Sequence, residues 1–129
     1  MPTTLINRKT KILAKKLGIT SKTVDARERI TTALRSMNTS DGVEIVFESG
    51  QDIGWFNVLD LPNNVHFTAE GEVYIAPLNL NPFSRFIRTQ PSGRNEINGP
   101  FHWDAKGFIS QSFLEARGDA TLLLSLIHI

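Results

Sequence analysis

The run Asn38-Thr39-Ser40-Asp41-Gly42 splits this chain into two hydrophobic rhythms, and that split limits the fold more than any other feature. Five consecutive residues that favour turns and helix ends stop one kind of element before another begins. Ahead of them apolar residues recur at helical spacing. Leu13 and Leu17 share one face of a helix predicted over residues 8–17. Ala26, Ile30, Ala33 or Leu34, and Met37 form the stripe of a second, running from after Thr20 to about Ser36. Ala14 is small enough for two helices to approach, Gly18 suits a left-handed turn with Ile19, and Thr20 can cap the second helix.

Beyond Gly42 the period becomes two. Val43, Ile45 and Phe47 alternate with Glu44, Val46 and Glu48, and residues 53–59 form a second apolar candidate strand. Pro62-Asn63-Asn64 turns the chain, and residues 65–69 and 72–75 flank Glu70-Gly71 as a hairpin would. Residues 83–88 fit a short helix or a strand, and the polar, Pro- and Gly-bearing residues 89–100 read as an exposed loop. Residues 101–103 and 108–113 suggest another hairpin, turning through Asp104-Ala105-Lys106-Gly107. The pattern predicts an α+β fold: an N-terminal helical pair, helix-turn-helix-like, followed by a small antiparallel β meander, barrel or sandwich. The predicted units are a basic helix-turn-helix-like module over 1–40 and a β-rich domain over 41–123.

Charge follows the same division. Residues 1–38 hold nine of the 14 Lys and Arg and only two of the 13 acids, Asp25 and Glu28, so they net +7 while the remainder nets −6. The overall +1 thus conceals the asymmetry of a nucleic-acid-binding element beside an acidic domain. Basic helices that only solvate one face, or that dock on the acidic half, would show the same arithmetic. Without cysteine there is no disulfide, thiolate nucleophile or cysteine-ligated zinc. No apolar run approaches a membrane span and the first residues lack a signal-peptide core, so a cytoplasmic location is expected. No internal repeat is visible. Residues 124–129, Leu-Ser-Leu-Ile-His-Ile, match the translation of a transposon-end sequencing adaptor, so native sequence is expected to stop near Leu123 and His128 to carry no function.

The segment ILAKKLGITSKTVDAR resembles the DNA-binding domain of the LuxR/FixJ class of bacterial regulators. Leu13-Ala14, Leu17, Ile19-Thr20 and Thr23-Val24 match that motif over residues 12–27, with Thr20 in the capping position. The resemblance implies that Ser21, Lys22, Thr23, Asp25 and Ala26 open a recognition helix in the major groove, with Arg27 or Arg29 on a phosphate or base edge. Lys11, Lys15, Lys16, Lys22 and Arg29 would supply phosphate contacts. After Val24 the match slips: Ile30 stands one residue earlier than the family's next apolar position, and the helices that precede the motif in that class are absent.

Two other constellations stand out. His102 and Asp104 lie two apart on a predicted strand, with His66, Glu72 or Asp60 as further members of a metal or acid–base group; polar residues satisfied on a sheet surface are the preferred explanation. No HExxH, GxSxG or phosphate-cradling glycine loop is present. Trp55, Phe56, Phe67, Tyr74, Phe101, Trp103, Phe108 and Phe113 are expected in the core, and Arg85, Arg88 and Arg94 on a loop rim. The leading expectation is a DNA-binding protein, a small transcriptional regulator of bacterial or phage origin, with double-stranded DNA as partner and a homodimer as one allowed state. No catalytic residue, metal or cofactor is expected. The alternatives are a virion or coat protein with a basic genome-binding arm, and a small ligand-binding protein or enzyme.

Overall fold

β-strands bury their apolar residues here by stacking in parallel, each on the equivalent strand one coil earlier. The computed structural model describes residues 10–20, 26–55, 59–77, 87–91, 93–103, 114–115, 118 and 120–128. Its elements are β1 (Thr10–Leu13), a 3-10 turn (Ala14–Leu17), α1 (Ala26–Arg35), β2 (Val43–Phe47), β3 (Asp52–Trp55), β4 (Leu59–Leu61), β5 (Val65–Ala69), β6 (Val73–Pro77), β7 (Ile87–Thr89), β8 (Arg94–Trp103), β9 (Leu114–Glu115) and β10 (Thr121–His128).

Among the described residues every ladder is parallel. A first runs β1-β2-β5-β8-β10, a second β3-β6-β8, and a third β4-β7-β9. The long β8 belongs to two of them. Phe67 pairs with Ile97 at its start and Val73 with Phe101 near its end, so the seven-stranded sheet curls around the core. Successive coils β2-β3-β4, β5-β6-β7 and β8-β9 therefore stack as a solenoid. The register steps from Val43 to Val65, from Phe67 to Ile97 and from Arg94 to Thr121 are unequal, so the coils share no constant length.

This overturns the expected helical pair and antiparallel body. The segment predicted as a first helix is β1 plus one 3-10 turn, because Thr10 to Leu13 pair in register with Val43 to Val46 and the Thr10 N–H donates to the Gly42 carbonyl. Partners distant in sequence outweigh a short stretch's helical spacing. Gly18 does take the left-handed conformation, φ 81°, ending the 3-10 turn with its N–H on the Ala14 and Lys15 carbonyls. The second helix ends near the expected place, with Ala26, Ile30 and Leu34 buried. Its expected cap, Thr20, adjoins residues 21–25, which lie outside the described residues.

The Glu70-Gly71 hairpin is instead a corner: β5 and β6 lie in different ladders, and this corner stacks on the one before. Gly50 N–H donates to Glu72 O and Glu70 N–H to Phe47 O. A Cβ on Gly71 would stand 2.2 Å from Ser49 Oγ, so the stacking needs glycine. The loop expected over residues 89–100 is largely β8. At its start buried Asn95 donates from Nδ2 to the carbonyls of Pro62 and Val65, 2.8 Å each, fastening one coil to the last. The hairpin expected over 101–113 lies mostly outside the described residues.

One core fills the interior. Phe47 meets Phe67 and Phe101 edge to face, centroids 5.4 Å apart in both pairs, a geometry worth about 0.5–1.5 kcal/mol per pair beyond burial. Ala14, Ile19 and the α1 residues Ala26, Ile30 and Leu34 belong to the same buried cluster. With α1 packed against β3 and the 3-10 turn, the helix closes the first-coil end of the stack.

Candidate functional site

Alternation along β3, β6 and β8 sends one column of side chains outward on the second ladder. Ile53, Val73, Ile75 and Phe101 point inward and are essentially inaccessible. Between them Asp52, Tyr74 and His102 share a register position on consecutive rungs. Tyr74 is 46% exposed, one of two large exposed hydrophobic residues among those described.

The rings of Tyr74 and His102 stack at a centroid distance of 4.7 Å and 16° between planes. Glu72 joins from the adjoining corner. The Tyr74 hydroxyl donates to its Oε2 at 2.9 Å, and His102 Nε2 lies 2.9 Å from the same oxygen. The second contact lacks the angle of a hydrogen bond. The hydrogen bond to Glu72, then the charge of that carboxylate, then slight burial raise the Tyr74 phenol above its ordinary 10.0. The face thus offers a neutral phenol, an imidazole and the carboxylates of Glu72 and Asp52, a mixed donor and acceptor set beside aromatic surface.

A second polar column occupies the first ladder. Glu44 pairs in register with His66, and the Thr68 hydroxyl donates to Glu44 Oε2. The Glu96 N–H donates to His66 Nδ1 at 3.0 Å, which puts the proton of the neutral imidazole on Nε2. His66 is wholly inaccessible and Glu44 nearly so. This column braces the stack.

The expected His66, His102 and Asp104 group is therefore not assembled. The two histidines lie on different ladders, and Asp104 falls outside the described residues. Glu72 does join His102, whereas Asp60 pairs with Arg88 at 2.7 Å on the third ladder. Among the described residues no three His, Asp or Glu cluster as a metal site would require. Tyr74 is corrected from core to surface; Phe67 and Phe101 are core as expected. Arg94 is exposed, and Phe56, Arg85, Phe108 and Phe113 lie outside the described residues.

The residues expected to bind nucleic acid are spread over three elements. Lys11 is exposed on β1, and Lys15 and Lys16 on the 3-10 turn, Lys15 3.7 Å from Glu48. Arg27 is half-buried on α1, and exposed Arg29 lays its guanidinium over Gly18. Ser21, Lys22, Thr23 and Asp25 lie outside the described residues. No described helix is long and apolar enough to cross a membrane. Compared with known proteins, the chain matches no family model, no curated relative and no solved structure.

Proposed function

We propose that this chain binds a neutral oligosaccharide along the outward column of Asp52, Tyr74 and His102, with Glu72 at its side. The observation that carries the reading is the stack of exposed Tyr74 on half-buried His102, both at one carboxylate oxygen. A sugar chain presents hydroxyls that both donate and accept, plus apolar C–H surface. Carboxylates accept from the hydroxyls, phenol and imidazole do either, and the ring edges cover the C–H groups. Rungs about 4.8 Å apart repeat this chemistry along the stack as a polymer repeats its units. Two carboxylates on the face oppose a polyanion, which selects neutral sugars.

Titration of the protein with neutral glucose and N-acetylglucosamine oligomers, followed by calorimetry, tests it. Binding should weaken about tenfold or more in Tyr74→Ala, the loss typical of an aromatic anchor. Absence of binding to every neutral oligomer at millimolar concentration, or binding untouched by both Tyr74→Ala and His102→Ala, would refute the reading.

A second reading keeps double-stranded DNA as partner, supported by the exposure of Lys11, Lys15, Lys16 and Arg29 near the first-coil end. Without a first helix these cations hold phosphates and read no bases. Four contacts would give log-affinity a slope near −3.6 against log-salt, at about −0.9 per phosphate. A salt-independent signal in duplex anisotropy titrations would exclude it.

A further inference from the structure

We infer that the hollow between the last turns of α1 and strand β4 takes a small monocarboxylate whose apolar body is the size of one phenyl ring. The helix packs on β3 and on the 3-10 turn, and beside β4 it leaves a cavity of about 130 Å³. Thr31, Leu34 and Arg35 line it from the helix, and Leu59, Asp60 and Pro62 from β4 and the turn that follows. An apolar cavity of about 150 Å³ accommodates benzene, so this space suits a ring or a branched chain of similar bulk.

Wall and rim differ in chemistry. Leu34 and Leu59 are buried and Pro62 is half-buried. The Thr31 hydroxyl donates to the Arg27 carbonyl at 2.8 Å, so its proton is committed within the helix. Water there finds few polar partners, and an apolar group displaces it favourably.

The rim carries exposed Arg35 and exposed Asp60. Asp60 is already engaged, since its Oδ1 accepts from Arg88 Nε at 2.7 Å on the neighbouring rung of the third ladder. Arg35 has no hydrogen-bond or ion-pair partner among the described residues. Two guanidinium groups against one carboxylate leave the opening net positive, which selects an anion. The planar fork of Arg35 matches a carboxylate through two parallel hydrogen bonds. A helix end alone accounts for a cation at position 35, and the apolar hollow beside it is the independent observation that calls for a ligand. This site shares no residue with the Tyr74–His102 column, so the two proposals succeed or fail separately.

Titration of the whole chain with phenylpropionate, read from the methyl NMR signals of Leu34 and Leu59, tests it. Those signals should shift to saturation in the millimolar range while Tyr74 stays in place. Uncharged phenylpropanol and cationic phenethylamine should bind at least about tenfold more weakly. Arg35→Gln should weaken the acid about tenfold and leave the alcohol unchanged, with the circular dichroism of the parent retained. Thr31→Phe, which fills the hollow, should abolish binding of both. Unmoved Leu34 and Leu59 signals up to the solubility of the acid overturn the proposal. So do equal affinity for the alcohol or the amine, or an acid affinity untouched by Arg35→Gln in folded protein. Should Thr31→Phe fail to fold, Arg35→Gln on the helix surface decides alone. Shifts centred on Tyr74 instead place the ligand on the other face and overturn this site.

Discussion

Replacing Asn95 by alanine separates stacked coils from an antiparallel body with an exposed loop at residues 89–100. In the structure Asn95 is fully buried and its amide holds the carbonyls of Pro62 and Val65 at 2.8 Å each. Alanine leaves the buried Val65 carbonyl and the part-buried Pro62 carbonyl without that donor, at about 1–3 kcal/mol for each orphaned group. Water entering the small void recovers part of this, so the expected loss is about 2–4 kcal/mol, a large share of the 5–15 kcal/mol typical of a domain. With a urea slope near 2 kcal/mol per molar, the midpoint should fall by roughly 1–2 M. Asn95→Asp sharpens the test, since the isosteric carboxylate cannot donate. It should be worse than alanine at neutral pH and partly recover as acid protonates it. Glu70→Ala at an exposed corner is the control and should stay within about 0.5 kcal/mol. Were Asn95→Ala as mild as that control, the coil-to-coil fastening described here would be wrong.

Three further outcomes follow from the same geometry. Gly71→Ala drives a methyl against Ser49 and should cost about 1–3 kcal/mol in urea unfolding, much of it restored by adding Ser49→Gly. Ile30→Ala hollows the contact between α1 and the first coil and should cost about 2–5 kcal/mol in the same assay. Ultraviolet titration of the single tyrosine should find the Tyr74 phenol above 10.0, moving down toward it in Glu72→Gln. Because the folded value is raised, that interaction stabilises the fold below pH 10 and is lost as pH climbs through the folded value. A Tyr74 titration unchanged by Glu72→Gln would remove the hydrogen bond from the account.

Some of this architecture was legible in the sequence. The α1 stripe of Ala26, Ile30 and Leu34 appeared because a helix buried on one face displays its period. Strand positions at residues 43–47 and 65–69 emerged from apolar alternation, yet their direction did not. Glu70-Gly71 carries the same turn chemistry whether the chain reverses or rounds a corner, and only the remote partners of β5 and β6 distinguish the two. Leu13 and Leu17 fit a helix face as well as a strand leading into a 3-10 turn. Unequal coils erased the repeat that would have announced a solenoid. Residues 89–100 looked solvent-loving because Asn95, the residue that fixes β8, is polar and donates inside from Nδ2. At the candidate site, His102 and Glu72 were already suspected partners. Tyr74 was assigned to the core on its aromatic character, although its alternation with Val73 and Ile75 placed it outside. Asp52 carried no local signal, since only the register across coils brings it beside Tyr74.

Disulfide trapping tests the parallel register most directly, because the chain contains no cysteine to confuse the result. Asp52 and Tyr74 are exposed register partners on β3 and β6, neighbouring strands whose spacing suits a disulfide. Under mild oxidation the Asp52→Cys/Tyr74→Cys protein should close an intramolecular bond, seen as the loss of two hydrogen masses and of both reactive thiols. A Thr68→Cys/Val73→Cys pair, placed opposite one another by a hairpin at Glu70-Gly71, should remain reduced. Free thiols in the first protein and a ready disulfide in the second would contradict the stacked parallel coils and dissolve the binding face built on them.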